Sequence, residues 1–295
     1  MKFPVKFNRA FWPGFLTQFL PSADDPRPLA LGSADETDFS KMVSTFKFGS
    51  TFKSTRPSRF PMTLAQLASI PNAFPLTILD IAASDGVTSL DMMRTLLYKK
   101  YFVTDLNLEV LFSESSGTTY FYTNQGNCIL AVNDPWIIYS DEKNALFPFK
   151  QIATSKIKSA PEFQKGFTKI TLISPQLLAP GRERVEIKQY DIFQKWPFEK
   201  ADLILAANIL NREYFKEEAI LTAFGNLLEA LEEGGWVVVV DNRRIERATI
   251  FQLIDGCLAV KTRVNGGTRI EAILMDQFGG SRLPILDPLQ KGNSG

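Results

Sequence analysis

Apolar positions along the chain fall into short runs separated by small, charged or turn-forming residues. Residues 76–91, Leu-Thr-Ile-Leu-Asp-Ile-Ala-Ala-Ser-Asp-Gly-Val-Thr-Ser-Leu-Asp, predict a strand covered on both faces that stops at Asp80. It turns through Ala82, Ala83, Ser84 and Gly86 into an amphipathic helix opened by Thr88, Ser89 and Asp91. Tyr101 to Asp105 is a second short apolar strand ending in an acid, and Val185 to Asp191 alternates and ends the same way. Ala201 to Leu210 is apolar, and Asn226 to Asp241 predicts a helix, a left-handed Gly234-Gly235 stop and a β-branched strand over Trp236 to Val240. Thr118 to Tyr122 and Cys128 to Val132 flank Asn124-Gln125-Gly126-Asn127 as a hairpin, and Cys257 to Arg263 with Arg269 to Met275 flank Asn265-Gly266-Gly267 as another. A helix is expected to begin near Thr63. The fold class is α/β, with a mostly parallel sheet, a C-terminal antiparallel hairpin, helices on both faces and an inserted β-hairpin element.

The strand-to-helix turn after Asp80 is where such folds hold a nucleoside. A dinucleotide loop needs three glycines to admit a pyrophosphate, and here only Gly86 is present. That pattern disfavours a seated diphosphate and leaves room for a ligand with an amino acid in its middle. Asp105 stands roughly 20 residues past the loop, where α/β nucleotide folds place the acid that accepts from ribose hydroxyls.

These segments resemble the motifs of the class I (Rossmann-like) S-adenosylmethionine-dependent methyltransferases. Motif I, D-x-G-x-G-x-G, is matched with Asp80 in the acidic place, Ala82 and Ser84 replacing two glycines, and Gly86 kept. Ala201 to Leu210 is similar to motif IV, "fDlI...nvL", and Asn226 to Asp241 to "L..L.pGG.l.i". The resemblance implies S-adenosyl-L-methionine as cofactor and a Rossmann-like methyltransferase sheet. It places Asp80, Ala82, Ser84 and Gly86 at the cofactor loop, Asp105 and Leu106 at the ribose, Asp191 and Ile192 at the adenine, and Asn208 at the transfer pocket. Asn208-Ile209-Leu210, Tyr214-Phe215 and Leu-x-x-Gly-Gly also resemble CheR-type methyltransferases. Ala206 and Ala207 stand where that group has Cys-Arg, so the likeness bears on the fold and the pocket wall and not on the substrate.

Composition narrows the chemistry. The 295 residues contain no histidine, which excludes a Ser-His-Asp triad, a Cys-His pair and an imidazole metal site; no metal is expected. Methyl transfer tolerates that absence, because it asks mainly that a nucleophile be aligned behind the methyl carbon, and a carboxylate acceptor needs no base. For a hydroxyl or amine acceptor, Glu213, Tyr214 and Asp241 are the candidate proton acceptors. The net charge of +1 gives no field for nucleic acid, no apolar stretch reaches membrane-spanning length, and the N-terminus lacks a signal-peptide core; a cytoplasmic protein is expected. Cys128 and Cys257 have no metal-ligand spacing and read as buried thiols. A non-catalytic methyltransferase-like binding protein and an NAD-linked oxidoreductase are the alternatives, the latter disfavoured by the glycine pattern.

The organisation expected is a cap or lid segment over 1–60, a core over 61–280 with an insertion at 112–182 that carries acceptor specificity, and a flexible tail over 281–295. Phe11 to Leu16 with Phe19 to Pro21 reads as a short helix that packs on the core, the favoured role, or closes over a substrate. Between Thr45 and Phe60 the chain carries Lys47, Lys53, Arg56 and Arg59, interleaved with Phe46, Phe48 and Phe52 and with no acid. Such a strip suits either an anionic ligand or, by the favoured reading, a solvated loop.

Overall fold

The computed structural model describes residues 4–32, 36–49, 51–53, 55–70, 74–140, 149–158, 160–163, 167–242 and 244–280. The tail expected over 281–295 lies outside the described residues. One seven-stranded sheet contains β1 (Leu76–Ile81), β2 (Tyr98–Asp105), β3 (Val185–Gln189), β4 (Ala201–Ala207), β5 (Leu231–Asn242), β6 (Glu246–Ile254) and β7 (Cys257–Val264), in the order β3-β2-β1-β4-β5-β6-β7. β4 runs parallel to both β1 and β5, while β5, β6 and β7 form an antiparallel meander. Ile78, Leu79, Leu203, Ile204, Val237 and Val238 are wholly buried, which is why these strands read as continuous apolar runs rather than alternating ones. The architecture is therefore the mixed α/β one, with helices α1 (Pro61–Ala68), α2 (Val87–Thr95), α3 (Glu217–Glu229) and α4 (Glu271–Phe278).

The predicted C-terminal hairpin is misplaced. The tight turn is Asp255-Gly256, both left-handed (φ 51° and 73°), between β6 and β7; the segment expected as its second strand, Arg269 to Met275, falls largely within α4. Ile270, Leu274 and Phe278 are buried four residues apart, the period of a helix. Asn265, Gly266 and Gly267 are left-handed as the chain turns toward α4 (φ 49°, 82° and 83°). There the Glu271 carboxylate accepts from Arg263 Nε at 2.8 Å and Thr249 Oγ1 at 2.9 Å. The Gly-Gly stop is also reassigned: α3 ends at Glu229, and Gly234 (φ 80°) lies in β5 where the register against β4 shifts.

A second seven-stranded sheet orders Thr168–Thr171, Glu109–Ser115, Thr118–Tyr122, Cys128–Asn133, Trp136–Tyr139, Val5–Asn8 and Ser22–Ala23. The hairpin predicted at 118–132 forms on its own residues. Its neighbours draw in the N-terminal segment, since Val5–Asn8 pairs antiparallel with Trp136–Tyr139. The chain divides into two compact units: Met1–Arg59, Ala83–Arg94 and Val103–Gln189, and Phe60–Ala82, Thr95–Phe102 and Tyr190–Gly295. In the first, alternate strand residues feed two cores: Phe121, Leu130, Val132, Ile137 and Tyr139 on one side, Tyr120, Tyr122, Ala131 and Ile138 on the other. In the second, Leu79, Ile204, Phe224, Leu227, Val237, Phe251 and Leu274 form one cluster.

In the Phe11 to Pro21 segment the expected packing rests on Trp12, whose ring meets Phe7 and Trp136 and whose indole N–H donates to Pro135 O at 3.2 Å. Phe15 and Phe19 are instead 66% and 85% exposed. Cys128 and Cys257 are each half-buried rather than buried as expected; burial still pushes the Cys128 thiol up to about 11, as suits an inert side chain. No helix among the described residues is long and apolar enough to cross a membrane. Phe224 and Phe251 sit wholly buried with ring centroids 6.0 Å apart. Phe251→Ala is expected to lower unfolding free energy by about 3–5 kcal/mol in urea titrations.

Candidate functional site

The turn between β1 and α2 has an unusual backbone. Ala82, Ser84 and Gly86 all take left-handed conformations, with φ of 53°, 63° and 79°. These are the three positions that carry glycine in the motif the sequence resembles, and two of them hold the conformation with a side chain attached, which costs roughly 1–2 kcal/mol each. The turn is held by hydrogen bonds: Ala83 N to Thr104 O at 2.8 Å, Ser84 N to Asp105 Oδ2 at 2.9 Å and Gly86 N to Ala83 O at 2.9 Å. Gly86 is favoured by its left-handed backbone, and a Cβ there would also push Leu177 Cδ1 aside.

Asp105 lies at the end of β2, as predicted, and it is already engaged. The Lys53 ammonium, only 6% exposed, stands 2.8 Å from Asp105 Oδ1 and donates to Ser84 O at 3.3 Å. Asn107 N also donates to Oδ1, at 2.8 Å. Asp85, the residue between Ser84 and Gly86, is completely buried. Its Oδ2 accepts from Ser40 Oγ at 2.5 Å, its Oδ1 from Val87 N at 3.0 Å, and its carbonyl from Ser174 N at 2.8 Å. The solvated-loop reading of the basic strip is thus wrong for its two lysines: Lys47 and Lys53 are both buried, and Lys53 follows a short antiparallel bracket of Lys47–Phe48 with Thr51–Phe52. A buried ammonium needs a counter-ion, and the anion proves to be within the chain.

Two features fit a polyol ligand at this turn. Asp105 Oδ2 accepts one hydrogen bond and keeps a lone pair, and Ser84 Oγ is buried with no hydrogen-bond partner among the described residues. Leu106 is half-exposed, and its carbonyl accepts from Gln189 Nε2 at 2.9 Å.

The remaining predicted residues lie in the second unit. Asp80 is buried and accepts from Tyr101 Oη at 3.1 Å. Asp191 Oδ1 accepts from Phe193 N at 3.0 Å, an Asx turn, and Ile192 is buried in the core cluster. Asn208 (φ 58°) spends its carboxamide oxygen on Asn242 N at 2.7 Å, tying the ends of β4 and β5 together. Glu213 is exposed and Tyr214 half-buried; both backbone amides donate to Asn211 Oδ1. Asp241 is half-buried on β5, opposite Arg247. Lys53, Asp85 and Ser40 were not singled out as site residues from the sequence. The signal that could have found Lys53 is the strip itself, lysines among phenylalanines with no acid nearby in sequence; Asp85 and Ser40 carry no such signal.

No family model matches the chain, and no curated protein matches it. Solved structures to which it is similar include the S-adenosylmethionine-dependent methyltransferase SibL (17% identity, 61% of this chain and 36% of that one, TM-score 0.32). An O-methyltransferase family protein from Burkholderia thailandensis is similar at 12% identity, with 60% and 36% coverage and a TM-score of 0.32. N-methyltransferase NodS from Bradyrhizobium japonicum WM9 in complex with S-adenosyl-L-homocysteine is similar at 15% identity, with 62% of both chains covered and a TM-score of 0.31. The match thus spans 36% of the length of the first two. Scores of this size leave the functional reading to the residues themselves.

Ala82→Gly and Ser84→Gly are each expected to raise unfolding free energy by about 1 kcal/mol in urea titrations, because glycine relieves the left-handed strain. Burial raises the Asp85 carboxyl above the ordinary aspartate value, opposed by the Ser40 and Val87 hydrogen bonds and the Lys53 charge. A group that holds its proton more tightly when folded contributes stability that is full below its unfolded pKa and lost as pH rises through the folded one. Asp85→Asn is therefore expected to gain stability relative to wild type as pH rises above about 4, read from melts across a pH series.

Proposed function

We propose that the chain is an S-adenosylmethionine-dependent methyltransferase acting on a small-molecule or protein side-chain acceptor. The observation that carries this reading is the coincidence of backbone and motif. The three glycine positions of the motif, 82, 84 and 86, are the positions at which this turn is left-handed, although two have lost their glycines. A turn that keeps the shape without the residues that make it easy supports a constraint on the shape. Asp105, bonded to Ser84 N, stands where a ribose acid is wanted.

When bound, the cofactor supplies an electrophilic methyl carbon on a sulfonium that is a good leaving group. The chain's own task is alignment, which can contribute much of the rate by itself. In this reading Asp105 Oδ2 accepts from a ribose hydroxyl, and the Ser84 and Gly86 backbone forms the floor beside it. Ser84 Oγ is a further hydrogen-bonding group of the same turn. A chain without histidine suits an acceptor that is already a nucleophile, such as a carboxylate, better than one needing deprotonation.

The second reading, a methyltransferase-like protein without catalysis, is favoured by one observation: the Lys53 ammonium seated on Asp105. Calorimetric titration with S-adenosylmethionine and S-adenosylhomocysteine separates the possibilities. Saturable binding, weakened about tenfold or more by Asp105→Asn, together with radiolabel transfer in an acceptor screen, is the expected result. Binding without transfer to any acceptor class favours the second reading, and no saturation in wild type or in a Lys53 variant removes both.

A further inference from the structure

We propose that Lys53 is an internal competitor for the ligand at Asp105, so that its ammonium acts as a latch that a bound nucleoside must displace. This rests on Asp105 being the ribose carboxylate. Asp105 Oδ1 is saturated by two donors, Lys53 Nζ at 2.8 Å and Asn107 N at 2.8 Å, and Oδ2 already accepts Ser84 N at 2.9 Å. A vicinal diol presents two hydroxyl donors, and this carboxylate has one lone pair open to them. Gripping both hydroxyls requires the ammonium to leave Oδ1.

The surroundings give Lys53 somewhere to go. Asp85 is completely buried, its turn is the one whose carbonyl Lys53 already contacts, and the Lys53 charge acts on it. An ammonium released from Asp105 therefore stays among acceptors instead of being stranded in an apolar interior. The bracket itself is small: a two-residue antiparallel ladder, plus the Lys53 amide donating to Phe46 O at 3.1 Å. The latch makes affinity a property of the latch equilibrium as much as of the contacts, since a site closed nine times in ten binds about tenfold more weakly than the open site.

The test uses the full chain and S-adenosylhomocysteine. Titration calorimetry on wild type and Lys53→Gln is expected to show the variant binding about tenfold more tightly or better. In wild type, hydrogen exchange at the Lys53 amide is expected to speed up at saturating ligand. Equal or weaker binding by a folded Lys53→Gln, with wild type still saturable, overturns the latch and leaves the methyltransferase reading standing. Binding by the variant alone supports the latch. Should Lys53→Gln fail to fold, the wild-type exchange decides: faster exchange at Lys53 supports the latch, unchanged exchange overturns it. The absence of saturable binding by every folded form overturns both the latch and the reading on which it rests.

Discussion

One buried ion pair organises the candidate site. Lys53 is almost fully withdrawn from water, and an ammonium in that position is tolerable only with a carboxylate and further acceptors around it. Asp105 supplies the carboxylate and Ser84 the carbonyl. Asp105 in turn fixes Ser84 N and Asn107 N, so a single charge sets the path of two loops. The strain at Ser84 is offset by bonds on both sides of its own peptide groups, the arrangement expected where a local conformation is over-determined by its surroundings.

The three left-handed positions of the turn then divide into two kinds. Gly86 combines a left-handed backbone with the close approach of Leu177 Cδ1 to the place a Cβ would take. Ala82 and Ser84 keep left-handed backbones without glycine's freedom. Where hydrogen bonds impose the shape, alanine and serine hold it at a cost of roughly a kilocalorie per position and the turn stays intact.

The fold was legible where burial is two-sided or turns are local. β1, β4 and β5 read as strands because Ile78, Leu79, Ile204 and Val238 face apolar neighbours on both sides, and the hairpin at 118–132 carries its own turn. Arg269 to Met275 was misread because Asn-Gly-Gly suggests a hairpin, whereas Ile270, Leu274 and Phe278 repeat with the helical period. Asp255-Gly256 is the left-handed pair that turns β6 into β7. The place of Asp105 at a strand end was legible from the apolar run before it. Lys53 was not, because a charge pair between segments remote in sequence leaves no periodicity. What the sequence did contain was a cluster of lysines without acids, and such a cluster sets the requirement for an anion without naming it.

The bracket that carries Lys53 is not a free arm. Phe52 packs edge-on against Tyr139 with centroids 5.7 Å apart, Lys6 lies over both rings at 4.4 and 4.8 Å, and Tyr139 Oη donates to Thr45 O at 3.1 Å. Lys6 and Tyr139 sit on paired strands of the second sheet. The lysine is therefore anchored one residue away from an aromatic contact with the same sheet that holds the inserted hairpin.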